Sequence, residues 1–181
     1  MEASLQEILN AREHRVQKQN ELLSQFQKPL LCFTMNIPGP EKWNRDVAIG
    51  FYLGCWFLED ALKGRKLLHK QITTGITGGE GYYVVDMPAK ELKKIAMEIE
   101  QVDPVGRLFD MDVLTPEGAK LSRQELGQTP RTCLLCDNEA VICARSRAHS
   151  LEELKNRTGF YLYVAARELL TEYVASRAYF A

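Results

Sequence analysis

The chain has 181 residues, of which 26% are charged and 45% hydrophobic, and its formal net charge is −1. That apolar content supports one compact core, and the lack of a basic excess argues against a nucleic-acid binder. No run of about 18 apolar residues exists and the N-terminus is a charged amphipathic segment, so neither a membrane span nor a signal peptide is expected. The expected location is the cytoplasm, where the five cysteines would be mostly reduced thiols and not a disulfide framework.

Residues 4–26 read as a polar helix in which Leu5, Ile8, Leu9, Val16, Leu22, Leu23 and Phe26 form an irregular apolar stripe, bordered by Arg12. Pro29 stops this helix, and residues 30–35 form a first strand. Asn36-Ile37-Pro38-Gly39-Pro40 is a rigid turn, because proline fixes φ and glycine frees it. Residues 41–63 are a long helix in which Gly50 and Gly54 allow close packing. A second strand spans 67–74, a glycine-rich turn covers 75–79, and Tyr82–Val85 is a third strand. Pro88 opens a helix through about residue 101, and residues 106–114 are the last strand.

The order β-α-β-β-α-β predicts an α+β fold, an antiparallel sheet of split βαβ, ferredoxin- or palm-like order. The N-terminal helix precedes a sheet core at 30–114. A looped stretch at 115–135 leads to two or three C-terminal helices within 137–176, one starting at the capping box Ser150-Leu151-Glu152-Glu153. The whole of 1–181 reads as a single domain of nucleotidyltransferase type. In this reading strands one and three run side by side in one direction. Asn36, Asp86 and Asp110 would then converge at one edge of the sheet.

Asp110 and Asp112 interrupt the apolar strand Leu108-Phe109-Asp110-Met111-Asp112-Val113-Leu114. Two residues apart, they share one face. Paired carboxylates on a half-buried surface repel each other and resist desolvation. A divalent cation between them removes both penalties, and Mg²⁺ favours one or two carboxylates plus substrate phosphates. The motif therefore points to metal-assisted phosphoryl or nucleotidyl transfer, with Asp110 and Asp112 as Mg²⁺ ligands. A solvated edge strand is the alternative. Arg107 lies an odd number of residues from Asp110, so on a regular strand it points to the other face unless a bulge re-aims it.

The charge balance shifts along the chain, from a formal −4 over residues 86–117 to +2 over 120–149. Arg123, Arg131, Arg145 and Arg147 are thus candidates for holding a polyphosphate opposite the metal. Cys133, Cys136, Cys143 and His149 have the spacing C-x2-C-x6-C-x5-H, which admits a tetrahedral zinc site. Against it, Asp137 has the form of a helix N-cap for 138–147, and a helix would hold Cys136 and Cys143 roughly 10 Å apart along its axis. Structural Zn²⁺ is therefore disfavoured. His149 caps a helix, binds phosphate or acts as a general base.

The turn Asn36-Ile-Pro-Gly-Pro-Glu-Lys42, the strand Gly106-Arg-Leu-Phe-Asp-Met-Asp-Val113, the segment Arg131-Thr-Cys-Leu-Leu-Cys136 and Ala140-Val-Ile-Cys-Ala-Arg-Ser-Arg-Ala-His-Ser150 occur in the order of one family. Together with Arg12, they resemble the apo-citrate lyase phosphoribosyl-dephospho-CoA transferases, also called holo-citrate lyase acyl-carrier-protein synthases. The resemblance implies a donor, 2′-(5-triphosphoribosyl)-3′-dephospho-CoA, and an acceptor, a serine of the citrate lyase acyl carrier subunit. The serine would attack the α-phosphorus and pyrophosphate would leave. On this basis the substrate-binding candidates are Arg12, Asn36, Lys42, Arg107, Arg123, Arg131, Arg145 and Arg147, and the catalytic ones Asp110, Asp112 and His149. Two alternatives are a metal-dependent nucleotidyltransferase with another acceptor and a non-catalytic zinc-stabilised interaction module.

Overall fold

A computed structural model describes residues 2–102 and 104–178, with side chains described as far as Leu169. Helix α1 (Leu5–Phe26) opens with a capping box, in which Ser4 Oγ accepts from the Glu7 N–H and Glu7 reaches back to the Ser4 N–H. It leads to β1 (Leu30–Met35). Helix α2 (Arg45–Ala61) starts where the Asn44 side chain accepts from the Val47 N–H. It begins later than periodicity indicates, because Glu41 to Asn44 still belong to the turn. The hairpin of β2 (Leu67–Gly75) and β3 (Gly78–Val85) follows, then α3 (Ala89–Ile99) and β4 (Phe109–Leu114). Helices α4 (Ala140–Ser146) and α5 (Leu151–Ala178) complete the chain. The Ser150–Glu153 capping box at the start of α5 is formed as expected.

The fold is α+β. Its four strands form one sheet in the order β2-β3-β1-β4, the split βαβ order, and every neighbouring pair is antiparallel. The expected direction of one strand is corrected here: β1 and β3 run antiparallel. The crossover through α2 makes β1 and β2 parallel, so a hairpin partner placed between them must oppose both. The end of β3 is therefore at the far edge from the end of β1. Asp86 sits there, bonded to Lys28 at 2.6 Å, and does not join Asn36 and Asp110.

One face of the sheet carries the main core. Leu31, Phe33, Tyr83, Val85, Phe109, Met111 and Val113 pack against Phe51, Leu58, Leu92 and Ala96 of α2 and α3. Phe33 stacks on Phe51 at 5.1 Å and meets Phe109 edge-on at 5.3 Å. Gly54 makes that approach feasible, since a Cβ there would collide with the Phe33 ring. Gly50 does the same for α5, with Leu162 only 2.7 Å from where its Cβ would stand.

The other face is covered by α1, where Leu22 and Leu23 meet Leu30, Cys32, Tyr82, Val84 and Leu114. Only the second half of α1 packs this way. Leu5, Leu9 and Val16, expected in the apolar stripe, are exposed. The first half of the helix turns Ile8, Ala11, Arg12 and Arg15 toward the sheet instead. Those residues recur at helical spacing on one face, and that face lies over the carboxylates of β4. Among the described residues no helix is long and apolar enough to cross a membrane.

Candidate active site

Period-two alternation puts Asp110, Asp112 and Leu114 on the α1 face of β4, with Phe109, Met111 and Val113 in the core behind them. Asp110 is paired with Thr34, and Asp112 with Cys32, across the β1–β4 ladder. Burial pushes the Asp110 carboxyl above the usual aspartate range, and the charge of Asp112 pushes it the same way. Asp112 holds the exposed Lys120 Nζ at 2.6 Å.

The open edge of β4 is sealed from α3. Met111 N–H donates to Glu100 Oε1 at 2.9 Å, and Lys93 Nζ donates to Met111 O at 3.0 Å. Both unpaired ladder groups are thereby satisfied. Glu100 is almost fully buried and ion-paired with Arg123. The Leu121 N–H closes the next position by donating to Val113 O at 2.9 Å.

A cavity of about 170 Å³ opens beside the aspartates. Arg12 and Arg15 line it from α1, Thr34 and Asn36 from the end of β1, Lys42 from the turn, Thr77 to Gly79 from the hairpin, and Asp110 from β4. Asn36 reaches this end because its N–H donates to Leu108 O at 2.8 Å, continuing the β1–β4 ladder by one step. Lys42 donates to Ile37 O, which folds its chain back over the turn. Burial lowers the Lys42 pKa, and the Arg12 charge lowers it further. Arg15 is bound to Glu80 at 2.8 Å. Among the described residues no carboxylate forms an ion pair with Arg12 or Lys42. Two cations thus face a cavity that one carboxylate enters from the opposite wall.

The remaining arginines separate. Arg131 comes 4.0 Å from Asp110 Oδ1 and 3.8 Å from Glu100 Oε1, beside the aspartates. Arg123 is turned away, to Glu100. Arg107 is corrected: residues 105–108 form a 3₁₀ turn before β4, so it is not on the strand. Its guanidinium donates to Thr132 Oγ1 and to the carbonyls of Thr132 and Cys133, all within the protein. Arg145 and Arg147 are exposed on α4 and its C-cap. Arg147 borders a second cavity, of about 350 Å³, which also touches Asn36 and His149.

The spacing argument against a Cys/His cluster is overturned. Helix α4 begins at Ala140, so Cys136 lies outside it. Cys133, Cys136, Cys143 and His149 bring their ligand atoms within 4.8 Å of one another. His149 Nε2 stands 3.3 Å from Cys136 Sγ, which engages the imidazole with the thiols rather than the cavity at Asp110. Burial alone would raise the Cys133 thiol, but hydrogen bonds to its sulfur from the Leu135 and Cys136 N–H groups and from the Cys143 and Cys136 thiols together hold it below the usual cysteine range.

Sequence reasoning missed Arg15, whereas the turn at residues 74–79 reads in the sequence either as a source of backbone N–H groups for a phosphate or as an ordinary hairpin, and Thr77 to Gly79 do line the cavity. The signal for Arg15 was available, since it follows Arg12 at i+3 on the same helical face.

The family model that describes the apo-citrate lyase phosphoribosyl-dephospho-CoA transferases matches residues 3–162. The chain belongs to this family. The match runs through α1, the whole sheet, the aspartate pair and the Cys/His cluster. The apo-citrate lyase phosphoribosyl-dephospho-CoA transferase of Escherichia coli O139:H28 is 38% identical over 156 residues, covering 85% of this chain and 85% of that protein. The transferase of the same description from Shigella boydii serotype 18 has the same identity and coverage. As a member of the family the protein is an enzyme, a transferase of the kind that attaches a prosthetic group.

Proposed function

We propose that the protein transfers the phosphoribosyl-dephospho-CoA group from 2′-(5-triphosphoribosyl)-3′-dephospho-CoA to a serine of the citrate lyase acyl carrier subunit. Serine Oγ forms a bond to the α-phosphorus, the bond from that phosphorus to the β-bridging oxygen breaks, and pyrophosphate departs. The product is a phosphodiester. Membership of the family and the relatives' names support the reaction. The observation that carries it is the cavity in which Arg12 and Lys42 face Asp110.

In this reading Arg12, Lys42 and the hairpin N–H groups hold the triphosphate, which bears more negative charge than one cation neutralises. Arg131 approaches from the other side of Asp110. Asn36 stands between the phosphate cavity and the larger apolar one, so a donor with a long organic arm extends past it. Asp110 and Asp112 fit a hard divalent cation. They offer oxygen donors alone, and the raised proton affinity of Asp110 marks negative charge that Lys120 leaves uncompensated. Bound there, Mg²⁺ would supply charge neutralisation at the α-phosphate and the leaving pyrophosphate. His149 is held among the thiols and serves the site through structure. In this reading the protein works in the cytoplasm with the carrier subunit as its partner.

The test is incubation of the protein with apo carrier subunit, donor and Mg²⁺, followed by the intact mass of the carrier. The expected result is a mass increase equal to the donor minus pyrophosphate, abolished by chelation and by replacement of the acceptor serine. Donor consumption without any change in the carrier would assign the site to another acceptor.

A further inference from the structure

Residues 131–149 form a unit that the transferase reading leaves unexplained. Thr132 and Glu139 form an isolated antiparallel bridge, and Ala140 N–H donates to Arg131 O at 2.8 Å. Inside this small hairpin, Cys133 N–H donates to Asn138 O at 2.7 Å, and Leu135 N–H points at Cys133 Sγ at 3.5 Å. The hairpin thus presents Cys133 and Cys136 from one tight turn. Helix α4 then brings Cys143 under them. Arg147 adopts a left-handed conformation, φ 50°, and reverses the chain so that His149 returns to the same point.

Four ligand atoms within 4.8 Å is the arrangement a tetrahedral ion demands. With zinc–sulfur bonds near 2.3 Å, neighbouring ligands of one ion lie roughly 3.8 Å apart. The separations found are 3.5 Å for Cys136 Sγ to Cys143 Sγ and 3.3 Å for Cys136 Sγ to His149 Nε2. Cys133 and Cys143 are buried, yet the apolar residues that precede Cys143 on α4, Val141 and Ile142, are exposed. Little hydrophobic packing is therefore available to hold this segment, a circumstance in which a metal replaces a core.

We propose that Cys133, Cys136, Cys143 and His149 bind one structural zinc ion, distinct from the aspartate site. All four positions are filled by protein ligands, so no coordination site is left for substrate. The ion fixes the hairpin against β4. Arg107 binds the carbonyls of Thr132 and Cys133, and Arg131 Nη2 donates back to Arg107 O at 3.2 Å. Through that lattice the metal sets the position of Arg131, two residues before the first ligand, opposite Asp110.

The experiment is elemental analysis of full-length protein purified without chelator and without added metal. About one zinc per chain is expected, with a matching loss of free-thiol reactivity. Cobalt exchanged for zinc should give the intense thiolate-to-cobalt absorption of a tetrahedral site. Cys136→Ser should lose the metal, whereas Cys32→Ser, in the sheet core, should retain it. Limited proteolysis after chelation should cut first within residues 128–150. If Cys136→Ser does not fold, the wild-type zinc content still decides. Less than about a tenth of an equivalent, with no uptake on titration with zinc, would overturn the proposal. So would a native disulfide between Cys136 and Cys143.

Discussion

Thr34 of β1 and Asp110 of β4 are direct partners across the sheet, and this pairing assembles the candidate site. It places Asn36, two residues beyond Thr34, diagonally beside Asp110, within roughly 8 Å by the spacing of paired strands. It also aims Asp110 at α1, where Arg12 and Arg15 replace the apolar residues that cover the rest of that face.

Asp110→Asn and Asp112→Asn should each lower transfer at least ~10²-fold, the scale of removing one electrostatic contact to a transition state. Neither should unfold the protein. The folded-state pKa of Asp110 is raised, so its ionisation opposes folding, and stability associated with it is complete at low pH and declines as pH rises through the raised value. Asp110→Asn should therefore gain in melting temperature over the wild type as pH increases from about 4 toward neutrality without metal. Asp112→Asn loses its exposed bridge to Lys120, worth at most ~1 kcal/mol, alongside the same relief. Thermal scans of metal-free protein at several pH values check both. A gain for Asp110→Asn that shrank with rising pH would contradict a raised Asp110 pKa.

Lys42 should set an alkaline limit on activity. Its pKa is lowered by burial and by Arg12, so it loses its charge earlier than an exposed lysine would as pH rises. Arg12→Gln should reduce kcat/KM by roughly 10- to 100-fold through loss of a charge-assisted hydrogen bond. It should also shift the alkaline limb of the kcat/KM profile to higher pH, because one cause of the lowered Lys42 pKa is gone. An alkaline limb that stayed in place would mean that Lys42 does not set it.

The order of strands, both long helices of the core and the carboxylate pair were legible in the sequence because each rests on periodicity or a local signal. The direction of β3 was not, since it depends on how a crossover and a hairpin combine. The cysteine cluster was obscured by Asp137 and Asn138, residue types that favour helix caps and tight turns alike. Here Asn138 closes the hairpin, α4 starts at Ala140, and the separation a continuous helix would impose never arises. The apolar stripe of α1 failed for a different reason. Over Asp110, an arginine-bearing face suits the sheet better than leucines, and Leu5 and Leu9 are left to solvent.

Gly54→Ala should destabilise the protein by about 1–3 kcal/mol, as overpacking does in a close-packed core. The added methyl collides with Phe33, whose ring is fixed between Phe51 and Phe109. Denaturant unfolding should show a lower midpoint with an unchanged slope. Gly75→Ala, where nothing lies within 4 Å of the new atom, serves as the control and should have little effect.

Glu100 is the residue on which the exposed edge of β4 depends. Its carboxylate accepts from the Met111 N–H and binds Arg123, while its side chain is only 3% exposed. Glu100→Ala would leave a buried ladder donor and a largely buried guanidinium without this partner, a loss of about 3 kcal/mol by analogy with broken buried ion pairs. In a chain of this size that corresponds to a fall of roughly 6–12 °C in melting temperature. Glu100→Gln keeps an acceptor for the Met111 N–H while removing the charge, so it should fall between the wild type and the alanine variant. Amide exchange at Met111 should accelerate in Glu100→Ala and much less in Glu100→Gln, because one variant frees that N–H and the other does not. Equal exchange in the two variants would mean that water, not Glu100, satisfies the strand edge.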